Sequence, residues 1–289
     1  KTDGSIIAWG DHNYGGSTSL VSNSLNSYNF IEIYSTKSAF AAKGDAGELV
    51  VWGNPEEGGN TGLDEGTLSA FGLDKIVSHP NGEVFAALKV DGSVFSWGDT
   101  TYGGDFSSVS SDIQSGVVEL FANRFAVAAL KDNSSIVAWG DPNYGGNSSA
   151  DVSTGGIEGA LDVSSLLSSG VIKVFSNVSS FAALKQDGSV VAWGNSNAGG
   201  NVSGIAELGS GVKEIFAHPE SSAYAAIKEN GSIVVWGNYL FGGDLNSTSE
   251  EVIVVDQNDL SSGFTKVYAN VGAFAALQGC VDEIEEDGD

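Results

Sequence analysis

The chain has 289 residues, 37 acidic against 12 basic, for a formal net charge of -25, and Arg124 is its only arginine. Nucleic-acid affinity rests on clustered Lys and Arg that neutralise phosphates, so a nucleic-acid partner is excluded and attraction to an anionic membrane surface is disfavoured. Cys280 stands alone, which excludes an intrachain disulfide and a cysteine zinc site; His12, His79 and His218 lack any recognised metal spacing, and no apolar run is long enough to span a bilayer.

From the N-terminus, "KTDGSIIAWG" reads as an Asp-Gly turn followed by a strand, and "WGDHNYGGSTS" then sets Trp-Gly, an Asp, and a Gly-Gly pair in one frame. The frame returns along the chain with its tryptophan at Trp9, Trp52, Trp97, Trp139, Trp193 and Trp236. A period in the forties is the mark of propellers and solenoids. Each unit predicts three strands in order. The first alternates apolar and polar residues, as in "FIEIYST", "VVELFAN", "VIKVFSN", "VKEIFAH" and "TKVYAN". The second is an alanine-rich run that starts at Phe40, Phe85, Val127, Phe181, Tyr224 and Phe274. The third ends on Trp, 12 residues after the start of the alanine run in each of five units, so the intervening hairpin is fixed.

Its turn is Asp-Gly or Asn-Gly, as in "KVDGSVFSW", "KQDGSVVAW" and "KENGSIVVW". Such pairs supply the positive backbone dihedrals of a tight hairpin. Gly4, Gly47, Gly92, Gly188 and Gly231 hold the glycine position, with Ser134 the one departure. The alanines suggest crowding near a propeller axis, and the six tryptophans fill the space between adjacent sheets. Stretches after each glycine pair are rich in Ser, Asp, Asn and Gly and read as loops, with a helical turn or outer strand at 166–171 at most.

The ends are complementary. The last alanine run, at Phe274, lacks its hairpin and Trp, while the chain opens with a hairpin that lacks its alanine run. The expectation is one all-β, six-bladed propeller over residues 1–281, its N- and C-terminal strands closing the ring, with an acidic tail at 282–289. A piece of a longer repeat array is the rival.

"FAALKQDGSVVAWGNSNAGG" at 181–200 resembles the RCC1-like repeat, and the resemblance covers essentially the whole chain. It implies a β-propeller of four-stranded blades. The family's Gly-Gln-Leu-Gly is replaced here by Gly-Gly and a polar residue, and six units stand where the best-known members have seven. Family members include a nuclear guanine-nucleotide exchange factor, ubiquitin ligases and a secreted β-lactamase inhibitor, so no one activity follows from the fold. The lack of basic patches argues against the chromatin-facing role, and the secreted binding members are closer in character.

Two residues after each Trp stands Asp11, Asn54, Asp99, Asp141, Asn195 or Asn238. An Asx turn explains all six, because Asn serves there as well as Asp. The competing reading makes Asp11, Asp99 and Asp141 ligands for calcium, a hard cation that takes carboxylate oxygens. Tyr14, Tyr102, Tyr144 and Phe241 precede the glycine pairs, either as packing between blades or as a platform for sugar rings. Six Asn-X-Ser/Thr sequons, at Asn133, Asn147, Asn177, Asn201, Asn230 and Asn246, are near the number that chance supplies. Neither a nucleophile elbow nor a phosphate loop followed by Lys occurs. The chain is therefore expected to be a non-enzymatic, extracellular or cell-surface module that binds a protein or glycan partner through its variable loops, alone or within a larger assembly. A calcium-binding or lectin-like surface is the alternative, with nucleotide exchange behind it.

Overall fold

The computed structural model describes residues 4–148, 162–245 and 257–279; the acidic tail expected at 282–289 and the sequon at Asn246 lie outside them. Alternating apolar residues and the hairpin glycines build one antiparallel sheet per repeat. Blade 1 contains β1 (Phe30–Ser35), β2 (Ala39–Gly44) and β3 (Leu49–Gly53); blade 2 contains β4 (Leu73–Ser78), β5 (Val84–Lys89) and β6 (Val94–Gly98). Blade 3 contains β7 (Val117–Ala122), β8 (Ala126–Lys131) and β9 (Ile136–Gly140), and blade 4 contains β10 (Val171–Ser176), β11 (Ser180–Lys185) and β12 (Val190–Gly194). Blade 5 contains β13 (Val212–Ala217), β14 (Ala223–Lys228) and β15 (Ile233–Gly237), and a two-stranded blade 6 ends the array with β16 (Phe264–Ala269) and β17 (Phe274–Gln278).

One register governs every sheet. Phe40 faces Trp52, Phe85 faces Trp97, Phe181 faces Trp193 and Tyr224 faces Trp236. Ser134 takes the positive-φ turn position at φ 64 where the other blades use glycine. Each first strand carries a bulge after its first residue, which bends it away from the ladder.

The fold is thus an all-β, propeller-type array, and it corrects three expectations. The alanine strand is the middle strand of its sheet rather than the one nearest the axis. In blades 1 to 5 its alanines are fully buried because both faces of the sheet pack against other segments, as Ala41 and Ala87 do in one core and Ala42 in another, whereas Ala275 and Ala276 of β17 are exposed. The first strands are the axial ones, since each lies against the first strand of the next blade.

The described blades have three strands at most, where the resemblance implies four. In the described stretches after the glycine pairs, strand formers are scattered among Ser, Asp, Asn and Gly, and these stretches supply turns and two short helices, α1 (Ser22–Leu25) and α2 (Glu65–Ser69), instead.

The third difference concerns Trp9. Five of the six frame tryptophans are buried between blades, but Trp9 is 84% exposed. Residues 5–10 join no sheet, and among the described residues β17 has no third strand beside it. An open seam therefore separates the two ends.

Candidate functional site

The Trp-Gly frame is one contact made five times. The indole Nε1 of Trp52, Trp97, Trp139, Trp193 and Trp236 donates to the carbonyl of Gly15, Gly58, Gly103, Gly145 and Gly199, at 2.9 to 3.1 Å. Each acceptor is the first glycine of the pair in the preceding repeat. The indole also stacks on the aromatic that opens the alanine run, with centroids 5.0 to 5.3 Å apart for Phe40, Phe85, Phe181 and Tyr224. Glycine is required at the acceptor for two reasons. At Gly199 φ is +86, and a Cβ would lie 2.8 Å from the Tyr224 ring.

The Asx position works as a turn cap in all six units. Asp11, Asp99 and Asp141 accept the backbone N–H two residues on, at 2.9, 2.8 and 2.9 Å. Asn54, Asn195 and Asn238 do the same at 3.1, 2.9 and 2.9 Å. The three carboxylates proposed as cation ligands are thus spread over three blades, each satisfying its own turn. Among the described residues no group of three or more His, Cys, Asp or Glu side chains could hold a metal ion. Other acidic residues are used alike: the Ser93 and Ser189 hydroxyls and N–H groups hold the carboxyls of Asp91 and Asp187 below the usual range, in the hairpin turns.

Of the four aromatics expected to meet a ligand, the structure brings two together. Phe125 lies between Tyr102, at 5.2 Å, and Tyr144, at 4.2 Å, and the guanidinium of Arg124 sits 5.2 Å over the Phe125 ring. Tyr102 and Tyr144 are half-buried in this packing, Phe241 is half-buried in its own turn, and Tyr14 is exposed.

A second constellation escapes the sequence pattern. The loops from first to second strand converge at one end of the axis, and a polar residue in each ties the loop down. Asn177 Nδ2 donates to Ala198 O at 2.7 Å, while its Oδ1 accepts from Ser179 N and Ser180 N. Asn123 does the same toward Tyr144, Phe125 and Ala126, and Thr36 Oγ1 donates to Glu57 O.

Blades 2 and 5 carry His-Pro loops two residues longer, "SHPNGEVF" and "AHPESSAY", and these two touch each other. His79 Nδ1 accepts from Asn81 N, so the ring's proton is on Nε2, which donates to Pro219 O at 3.1 Å. Asn81 Nδ2 donates to Glu220 at 2.8 Å. Backbone bonds extend this hub through Lys37 N to Gly82 O, Arg124 N to Val178 O, and Val178 N to Ser221 O. The repeated His-Pro at matching places was the signal available in the sequence.

No family model and no curated protein matches the chain. Among solved structures it is similar to yeast RCC1 (Prp20) bound to Kap60, at 14% identity and a TM-score of 0.46, over 88% of this chain and 68% of that one. It is similar to Prp20p from Saccharomyces cerevisiae in a second structure, at 16% identity and a TM-score of 0.43, over 86% and 70%. It is also similar to the ectodomain of the Physcomitrella patens receptor kinase CR4, at 16% identity and a TM-score of 0.43, over 76% of this chain and 54% of that one, so it spans about half that ectodomain's length. RCC1 is the protein whose repeat the sequence resembles.

Proposed function

We propose that the chain is a non-enzymatic protein-binding module: an acidic, six-bladed propeller whose variable loops hold a protein partner outside the cell or at its surface. Its ring closes when residues 5–10 pair with β17 as the third strand of blade 6. Four observations support closure.

The N-terminal segment already docks on blade 1 as every third strand docks on the blade that follows it. Phe30 N donates to Gly4 O at 3.3 Å, matching Leu73 to Gly47, Val117 to Gly92, Val212 to Gly188 and Phe264 to Gly231. Ile6 packs into the core of Leu25, Phe30 and Trp52. At the other end, a groove of about 560 Å³ lined by Gly242, Ala273 and Phe274 has the parts of an indole seat, the carbonyl of a first glycine and the stacking aromatic. Trp9 fits this seat by register, opposite Phe274 as Trp193 is opposite Phe181.

Two apolar residues that are buried at the equivalent place in other blades are exposed on the same seam. Ile33 is 51% exposed and Leu277 55% exposed, whereas their counterparts Ile76, Leu120, Leu130 and Leu184 are buried. Finally, the His79 and Pro219 contact joins blades 2 and 5, which stand opposite one another only in a ring of six.

The observation that carries the binding role is the division of labour along each repeat. Every recurring residue is engaged by the frame: Trp with glycine carbonyls, Asx with turn N–H groups, Asp-Gly with hairpins. What differs between blades is loop, such as residues 105–112, where Phe106 and Val109 anchor the segment on the core and Asp105, Ser107, Ser108, Ser111 and Asp112 are exposed. Loops on a rigid frame are where recognition is placed. The reading needs no cofactor. A glycan platform has less support, because Tyr102 and Tyr144 pack on Phe125.

The test is crosslinked capture from the native source with the intact chain and with variants whose loop residues Asp105, Ser107, Ser108, Ser111 and Asp112, or Asn60 and Thr61, are exchanged while the core-packed Phe106, Val109 and Leu63 are kept. A partner retained by the intact chain and lost on loop exchange supports the reading. Capture that ignores every loop exchange, or a catalytic activity that survives them, overturns it.

A further inference from the structure

The third residue of each first strand is charged, and its sign alternates around the array: Glu32, Lys75, Glu119, Lys173, Glu214, Lys266. Nothing in the hairpin, the turn or the core demands this. The fourth residue of each first strand from blade 2 onward is the apolar one that packs, as with Ile76, Leu120, Val174, Ile215 and Val267. The third residue faces the opposite way, with the fifth: the Tyr34 hydroxyl donates to the Glu32 carboxylate, Lys173 lies 4.8 Å over Phe175 and Lys266 lies 5.0 Å over Tyr268. Successive first strands lie side by side, so residues of opposite sign are neighbours around the array. Between blades 2 and 3 they form a bridge, with Lys75 Nζ 3.3 Å from Glu119 Oε1.

Alternation has a parity. A ring of alternating charges closes without setting like charges together only when the number of blades is even. With six blades the seam pair is Lys266 and Glu32; one blade fewer or more would oppose two charges of the same sign. We propose that these six residues form a charge collar around the axis that counts the ring, favouring closure at six blades in register through a Lys266 to Glu32 contact.

The collar specifies more than it stabilises. Glu32, Lys75 and Glu119 keep 43 to 49% of their side-chain surface exposed, and half-exposed pairs contribute little net attraction. Like charges face to face are penalised instead, which selects against the wrong partner. Glu32 also lies 3.9 Å from Lys43, its partner across β2, where blades 2 to 6 have Leu88, Leu130, Leu184, Ile227 and Leu277. Lys43 Nζ donates to the carbonyl of Asp74 in blade 2, so this lysine is shared and leaves a carboxylate oxygen of Glu32 for the seam.

The inference rests on the ring-closure reading, and one experiment separates the two. Amide hydrogen exchange is measured at residues 6–9 and 274–278 in the intact chain, in Lys266→Glu, and in Lys266→Glu with Glu32→Lys, at low salt and at 1 M NaCl. In the intact chain these amides are expected to be protected. Lys266→Glu should speed their exchange about fivefold at low salt, and adding Glu32→Lys should recover about half of that, since it re-pairs the seam but sets its own charge beside Lys43 and Lys75 and cannot restore the stacking of Lys266 on Tyr268. At 1 M salt the difference should shrink, because charges are then screened beyond roughly 3 Å.

Protection in the intact chain with no effect of Lys266→Glu, or an effect that Glu32→Lys leaves unrelieved, overturns the collar and leaves closure standing. Unprotected amides in the intact chain overturn both. Thermal unfolding of blades 2 to 5, followed by circular dichroism, checks that each variant keeps its fold.

Discussion

Replacing Trp9 by alanine distinguishes the closed ring from an open array. Trp9 is 84% exposed in the open arrangement, and a surface substitution of that kind shifts stability by no more than about 0.5 kcal/mol. Seated on Phe274 with its indole N–H on Gly242 O, it would bury roughly 150–250 Å², about 4–6 kcal/mol at 25 cal/mol per Å². The hydrogen bond adds about 1 kcal/mol. Losses measured for Trp-to-Ala changes in cores, about 3–5 kcal/mol, set the expected cost at or below the low end of that sum. Trp193→Ala is the internal standard, since Trp193 is buried, stacked and hydrogen-bonded to Gly145. Unfolding in urea, with acrylamide quenching of tryptophan fluorescence in the folded state, reads both variants. Closure predicts that Trp9→Ala costs at least half of what Trp193→Ala costs, and that the intact chain has no strongly quenched tryptophan. A Trp9→Ala protein as stable as the parent, beside a clearly destabilised Trp193→Ala, refutes the reasoning.

Gly199→Ala should cost about 2–4 kcal/mol by denaturant unfolding, because a side chain there is strained at φ +86 and meets Tyr224 at 2.8 Å. Gly62→Ala, at φ +73 with nothing within 4 Å, should cost only about 1 kcal/mol. The triple change Asp11→Asn, Asp99→Asn and Asp141→Asn should leave the melting temperature nearly unchanged and create no calcium dependence, since Asn caps the same turn in three blades. A calcium-dependent rise in the parent that the triple variant lacks would show cation ligation instead. Asn177→Ala removes a donor to Ala198 O and the acceptor for Ser179 N, Ser180 N and Ser180 Oγ, for a loss of about 3 kcal/mol. Asn177 should also stay free of glycan in a secreted preparation analysed by mass spectrometry, because it is fully buried. Burial, then the hydrogen bond to Glu32, pushes Tyr34 up to about 12, and burial pushes Tyr224 higher still. The folded chain therefore keeps protons that the unfolded chain gives up near pH 10. Stability is full below pH 10 and falls as pH rises through 12. Denaturation curves at stepped alkaline pH check this, and Tyr34→Phe should flatten the decline.

Much of this architecture is written in short-range chemistry. The 12-residue spacing from Phe181 to Trp193 is the register of a hairpin, so the pairing of those two residues follows from the Asp-Gly turn between them. The Asx turn at Asp141 is equally local, because donor and acceptor stand two residues apart. What escapes the sequence is set by packing between repeats. Ala87 is small because a neighbouring blade lies on each face of its sheet, and the same smallness was open to the different reading of a strand crowded at the axis. The fourth strand was implied by the resemblance alone, and among the described residues the Ser- and Gly-rich loops carry only scattered strand formers, such as Phe106, Val109 and Ile113, with no alternating run.

The hub marks where such reading runs out. His79 and Pro219 are 140 residues apart, and although both stand in His-Pro loops, only the curvature of the array brings those loops together. Yet the cause is visible once the curvature is known. A propeller brings corresponding loops to one point, and loops of standard length at that point reach only their neighbours, as Arg124 reaches Val178. Spanning the axis takes extra residues, and it takes them on opposite blades. The chain adds two residues in blade 2 and two in blade 5, with His-Pro in both. The sign alternation from Glu32 to Lys266 has the same logic, being meaningless along a line and constrained around a circle. Both features are selected by neighbours that are distant in sequence, and both favour the count of six. In the proposed closed ring, a change in the number of blades would have to rebuild the hub and the collar together, whereas the loop positions that differ between blades can change without touching either.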